Sequence, residues 1–241
     1  MVLYATTLFE LRDVASPSCY NKHMYFESRA QAGSLLARQL YERYRYENCA
    51  VLALSDGGVV VGEQVAGLLH CVVMMLITED IPVPGEDVDF GAVSQGGQFT
   101  YNTNFSMGEA DAYTSEFYGY LSEQKREAFQ RINRLIGDGG TIDTDLLHDR
   151  VVILVSDSFD NTTSLDVALD FLKPIRIDRL IVAAPVASIE AVDRIHVRAD
   201  EVHILDVKEN FFDTNHYYDD NTLPDREETI KRINRIITRW H

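Results

Sequence analysis

Acidic and hydroxyl side chains follow three apolar runs in this chain, and they define the chemistry to look for. Asp56, Gly57 and Gly58 follow residues 50–54, and Glu79 and Asp80 follow residues 72–77. Ser156, Asp157 and Asp160, then Thr162, Thr163 and Ser164, follow residues 151–155. Carboxylates brought together are oxygen-only ligands, suited to Mg²⁺, Mn²⁺ or Ca²⁺. They suit equally a cationic ligand or a partner's Arg or Lys, and in so acidic a chain the plain alternative is a set of solvated loop acids. Hydroxyls at a helix start, beside unpaired N–H groups, can hold a phosphate; capping the helix is their commoner use. Asp157 admits the same choice between contacting a ligand or metal and capping the next helix. Tight-turn geometry accounts for Gly57 and Gly58.

Charge narrows the partners. Among 241 residues, 22 Lys+Arg stand against 38 Asp+Glu, a formal net charge of −16. No Lys or Arg occurs between Arg45 and Lys125, a span that includes Asp56, Glu79, Asp80 and Asp89. Such a surface repels phosphate backbones and anionic lipid, which argues against nucleic acid or membrane as partner. The composition, 46% hydrophobic and 25% charged, is that of a globular protein. Met1 to Glu10 lack the pattern of a signal peptide, and no apolar stretch approaches about 18 residues. Cys19, Cys49 and Cys71 contain no Cys-x-x-Cys pair and read as reduced thiols of a cytoplasmic protein. His216 sits in an Asn- and Asp-rich stretch that reads as a turn. His203 and Cys71 read as packing residues.

Periodicity supplies the elements that must position these groups. Residues 1–25 form an N-terminal arm with weak periodicity. From Ser28 a helix places Ala32, Leu35, Leu36 and Leu40 on one side. Short apolar strands at 50–54, 72–77, 151–155, 179–184 and 201–205 alternate with helices at 60–70, 163–172 and 188–197. A flap occupies 86–110, a helix 115–135, and a C-terminal helix 225–240. Strands alternating with helices imply an α/β fold, a mostly parallel sheet with helices on both faces, formed here as one domain over 1–241. Ligands in such sheets bind beyond the carboxyl ends of the strands, where the three polar loops fall.

Over about residues 26–228 the order of these pieces resembles the type I phosphoribosyltransferase family, whose Rossmann-like fold carries a small flap. Phe26-Glu-Ser-Arg-Ala-Gln-Ala-Gly33 resembles the helix start before the family's first core strand. Ala53-Leu-Ser-Asp-Gly-Gly-Val59 is similar to its pyrophosphate loop, and Val83-Pro-Gly85 with Phe90-Gly-Ala-Val93 to its flap. Val151-Val-Ile-Leu-Val-Ser-Asp157 with Thr162-Thr-Ser164 is similar to its signature strand and phosphate loop. Ile181-Val-Ala-Ala-Pro-Val-Ala187 and Ala199-Asp-Glu-Val202 match the βαβ unit that follows. The resemblance implies a glycosyltransferase of nucleotide metabolism that uses phosphoribosyl pyrophosphate with a divalent metal such as Mg²⁺. It assigns Asp157 the catalytic position. Asp56, Gly57, Gly58, Ser156, Asp160, Thr162, Thr163 and Ser164 fall at its ligand contacts, and Glu79, Asp80 and Asp157 at the metal.

The chain departs from that pattern where charge matters. Asp56 stands where the family's loop carries Arg, and Glu79-Asp80 where it carries Arg-Lys. Ser156 replaces the first of two strand-end carboxylates, and the loop 158–164 has no glycine. One like-charge contact at about 4 Å costs about 4 kcal/mol at an effective dielectric of 20. The expectation is a pseudoenzyme that keeps the pocket for a ligand or protein partner. The alternative is an active transferase with altered donor or acceptor, acting through Asp157, the Thr162–Ser164 loop and a metal, with its missing cation supplied by another subunit, Arg12 or Arg29. The implied ligand is ribose-phosphate or nucleotide-like, and a homodimer is the family expectation.

Overall fold

A computed structural model describes residues 25–86, 88–136, 142–160 and 163–239. The arm therefore lies outside the described residues except for Tyr25, as do Thr162 and Trp240. The chain enters through β1 (Phe26–Ser28), and Ser28 caps α1 (Arg29–Tyr44) by accepting the Gln31 N–H at 3.2 Å. The apolar strand β2 (Cys49–Ala53) runs into Ser55, which caps α2 (Asp56–Leu69) and returns the chain to β3 (Val72–Met75).

Next comes an antiparallel sheet of β4 (Thr78–Pro82), β5 (Asp89–Ser94) and β6 (Phe99–Tyr101). Helices α3 (Met107–Glu116) and α4 (Tyr118–Ile136) follow it. The expected flap at 86–110 is thus part of a larger hood that begins at Thr78. The single helix expected at 115–135 is two helices that meet at Phe117. A capping box between Ser106 and Glu109 starts the first of them earlier than hydrophobic spacing suggests.

The second half alternates regularly. It comprises β7 (Val151–Val155), the short β8 (Ser158–Phe159), α5 (Thr163–Leu172), β9 (Arg179–Ser188), α6 (Ile189–His196) and β10 (Glu201–Lys208). Strand β11 (Tyr218–Asp220) and helix α7 (Arg226–Arg239) complete the described chain. The main sheet has the order β10-β9-β7-β2-β3 with all pairs parallel.

Because side chains alternate across each strand, the sheet is apolar on both faces. Leu52, Met74, Leu154 and Val182 pack toward α5 and α6. Val51, Val73, Ile153 and Ile181 pack against Leu36 and Leu40 of α1 and Val61 and Val65 of α2. The hood has its own core, in which Ile81 and Phe90 meet Leu121, Ala128 and Ile132 of α4. Polar contacts seat it on α5 and α6: Thr103 donates to Asp166 at 2.7 Å, Thr100 to Asp170 at 2.9 Å, and Arg194 to Asn104 at 2.8 Å. From β2 the chain turns one way to β3 and later the other way to β7. The carboxyl ends of β2 and β7 therefore flank the switch point where an open α/β sheet leaves a crevice.

Candidate functional site

A cavity of about 470 Å³ opens at that switch point, within the range of small-molecule sites. Its floor is Leu54, Ser55, Ser156 and Asp157 from the ends of β2 and β7. One wall is Asp160 with Thr163 and Ser164 at the start of α5; the hood supplies Asp80, Asp89, Asn102 and Asn104. Four carboxylates thus ring the space, and among the described residues that line it there is no Lys or Arg.

Asp157 is held from within the protein. Its Oδ2 accepts from Arg29 Nε at 2.7 Å and its Oδ1 from Ser55 Oγ at 2.8 Å. Arg29 is 3% exposed, a burial tolerable for a guanidinium only when its fork is satisfied. It donates to Asn215 at 2.8 Å and Asn221 at 3.4 Å and lies 4.5 Å from the Tyr218 ring centroid. Tyr218 in turn donates its hydroxyl to the backbone oxygen of Asp157 at 2.5 Å, and burial pushes that phenol far above its ordinary pKa. The parallel pairing of β1 with β11, Phe26 opposite Tyr218, sets Arg29 beside Tyr218 and Asn215, and its contact with Asp157 joins residues 128 apart in sequence.

The predicted residues divide into three groups. Asp80, Ser156, Asp157, Asp160, Thr163 and Ser164 line the one cavity. Asp56, Gly57, Gly58 and Glu79 do not. Thr162 lies outside the described residues. Asp56 falls in the first turn of α2 because Ser55 Oγ accepts the Gly58 N–H at 2.8 Å, so the segment expected to be a pyrophosphate loop is already helix. The two glycines serve close packing, not a turn. A Cβ on Gly58 would lie 2.8 Å from the Val155 oxygen, and one on Gly57 would be 2.9 Å from Arg29 Nε and closer still to the Asp157 carboxylate.

Strand alternation sends Glu79 and Asp80 to opposite sides of β4. Glu79 accepts from Arg131 Nε of α4 at 3.0 Å, whereas Asp80 faces the cavity. Glu79, Asp80 and Asp157 accordingly do not assemble around one point, and among the described residues no group of three or more His, Cys, Asp or Glu could hold a metal ion. His216 is paired through Nε2 with the Tyr25 hydroxyl at 3.0 Å, and buried His203 with the Tyr44 hydroxyl at 2.9 Å. Sequence reasoning missed Ser55, Asp89, Asn102, Asn104, Ser158 and Thr214 as lining residues. Only the return of the hood over the sheet brings the two asparagines into the cavity.

Asp80 gives the site a measurable pH signature. Although the residue is exposed overall, its carboxyl lies in the recess. Burial pushes it up to about 6, and neighbouring Asp89 and Glu79 add to the rise. A carboxyl with a raised folded pKa binds its proton more tightly folded than unfolded, so stability is lost as pH rises from about 4 to about 6. Asp80→Asn should therefore melt above wild type at pH 7.5 and converge with it below about pH 4. Parallel melting curves across that range would show that Asp80 is not strained.

No protein-family model matches the chain. A Mycobacterium tuberculosis protein that bears the provisional name of a phosphoribosyl transferase is 26% identical over 214 residues, in strains CDC 1551 and H37Rv alike. That match takes in 87% of this chain but 46% of the relative, so the chain spans about half the length of the curated relatives it matches. The crystal structure of the Thermus thermophilus protein TT1426 superposes with a TM-score of 0.69 at 29% identity, over 87% of this chain and 98% of that one. A purine phosphoribosyltransferase from Pyrococcus horikoshii superposes loosely, with a TM-score of 0.45 at 12% identity over 83% of this chain and 95% of its own. Among the described residues no helix is long and apolar enough to cross a membrane. In sequence the chain is thus similar to a protein provisionally named a phosphoribosyl transferase, and in fold to TT1426, an α/β protein with a mostly parallel sheet flanked by helices.

Proposed function

We propose that this protein uses the phosphoribosyltransferase-like pocket to bind a small ligand bearing cationic N–H groups, without transfer from phosphoribosyl pyrophosphate. The observation that carries this reading is the placing of Asp80, Asp89 and Asp160 around the cavity, above an Asp157 already paired with Arg29, with no Lys or Arg among the described residues that line it. A leaving pyrophosphate needs donors aimed at its developing charge, whereas the carboxylates here are acceptors of like charge. The acids are spread around the cavity and not gathered at one point, which suits an extended amine or guanidinium with several donors better than a single divalent ion. The loss of standard activity and a cytoplasmic setting belong to the same reading.

A second reading, transfer from an altered ribose-phosphate donor, draws on one specific feature. Thr163 and Ser164 stand at the cavity on the first turn of α5, and a helix of ten residues offers N–H groups and a favourable dipole to a phosphate.

Thermal denaturation separates the two. The panel is spermidine, arginine, Mg²⁺ alone, a nucleoside monophosphate, and phosphoribosyl pyrophosphate with Mg²⁺. A ligand at about 100 times its Kd stabilises by about 2.7 kcal/mol. Stabilisation by an organic cation, abolished by Asp80→Asn or Asp160→Asn, is the expected result. Stabilisation by phosphoribosyl pyrophosphate with Mg²⁺, accompanied by pyrophosphate release on adding nucleobases, would replace this reading with the transferase.

A further inference from the structure

At the opposite end of the main sheet lies a second cavity, of about 110 Å³, lined by Cys49 and Cys71 together with Glu47, His70 and Arg150. Cys49 opens β2, and Cys71 immediately precedes β3, its neighbour in the sheet. β2 and β3 pair with Val51 opposite Val73 and Ala50 opposite Val72, so one step toward the amino end sets Cys49 opposite Cys71. Both side chains fall on the same face of the sheet, in the cluster that contains Val51, Val73 and Leu69. Neighbouring strands are about 4.8 Å apart, within the Cα separation that a disulfide spans. Cys71 precedes β3 and follows the end of α2, so regular pairing does not fix it on both sides.

We propose that Cys49 and Cys71 are a cross-strand dithiol that a disulfide oxidant of the glutathione class converts reversibly to a disulfide. One thiolate attacks the oxidant's S–S bond and releases one glutathione thiol. The second cysteine then attacks the mixed disulfide, forming the Cys49–Cys71 bond and releasing the second. The protein loses two protons and two electrons, and the oxidant gains them. The cavity opens to solvent and is lined by both cysteines, which gives the oxidant's sulfur access to the pair.

The surroundings make the reaction slow and steeply pH-dependent. Cys49 is 2% exposed and Cys71 8% exposed, and both are free thiols. Burial pushes Cys49 up to about 11 and Cys71 up to about 12, with each cysteine's acidic neighbour, Glu47 and the Cys49 thiolate respectively, adding to the rise. Arg179 near Cys49 and Arg150 near Cys71 oppose that rise. Thiolate is the attacking species, so below those values the rate climbs about tenfold per pH unit. Bridging these positions joins β2 to β3, the strands that lead into the Ser55 turn and the hood.

The test uses the folded 241-residue chain carrying Cys19→Ser, which removes its third thiol. It is incubated with glutathione disulfide at pH 8.5, then alkylated and mapped by mass spectrometry. The expected product has lost two hydrogens and yields a linked Cys49–Cys71 peptide that a dithiol reductant reverses. It should form faster at pH 9 than at pH 8 and be missing from Cys49→Ser and Cys71→Ser proteins. Persistence of two alkylatable thiols, a stable glutathione adduct, or a link formed only in urea would overturn the proposal.

Discussion

Arg29→Met is expected to destabilise the protein by about 3–5 kcal/mol, the range for breaking one partner out of a buried ion pair. The substitution keeps much of the side-chain volume but leaves the carboxylate 2.7 Å away without its cation, with only Ser55 still bonded to it. Asn215 and Asn221 lose their donor as well, and the Tyr218 ring loses the guanidinium over its face. The cost should come mostly from stranded polar groups and not from attraction lost. A double-mutant cycle distinguishes these causes: Arg29→Met combined with Asp157→Leu should recover most of the loss, because replacing both partners of a buried pair with apolar groups is often near neutral. Urea titrations of the four proteins measure it. Additive single-mutant losses would mean that Arg29 and Asp157 act separately. Arg29→Lys should rescue poorly, since an ammonium cannot reproduce the planar fork that serves Asp157 and two asparagines at once.

This pair also shows where the sequence stops being legible. Apolar runs and helix periodicity reveal elements whose stability is set locally. Residues 151–155 are a strand and 163–172 a helix as their patterns require, and the parallel order follows from their alternation. Elements whose ends are set by one polar side chain are harder to place. Ser55 begins α2 at Asp56, ahead of the apolar periodicity that starts near Val60, and Ser106 likewise begins α3. Strand β4 reads in sequence as an acidic, proline-containing stretch because its pairing partner, not its own composition, makes it a strand.

At the site, the strand-end rule identifies the loops but not the direction of each side chain. Asp80 and Glu79 are neighbours in sequence on opposite sides of a strand, and Arg29 meets Asp157 across 128 residues of sequence that no local pattern connects. Charge patterning is informative where geometry is not. The long stretch without Lys or Arg contributes the acids of the hood, while the guanidinium beneath the floor comes from outside it.

Gly57→Ala should destabilise by about 3 kcal/mol even though alanine is the better helix former, because overpacking against a fixed polar group outweighs propensity. An added Cβ would fall inside the contact distance of Asp157 Oδ2 and 2.9 Å from Arg29 Nε. Neither atom can move freely, since Ser55 holds the other carboxylate oxygen and Asn215 holds the guanidinium. The strain must therefore displace the start of α2 or break the ion pair. Gly67, on the same helix with open space where its Cβ would go, provides the internal control. Gly67→Ala should stabilise by about 0.5–1 kcal/mol through backbone entropy alone. Opposite signs for two identical substitutions in one helix, read from urea midpoints at constant slope, are the expected outcome. If Gly57→Ala is as stable as wild type, α2 can withdraw from β7 without penalty, and the cavity floor is not the rigid platform that the Arg29–Asp157–Ser55 contacts imply.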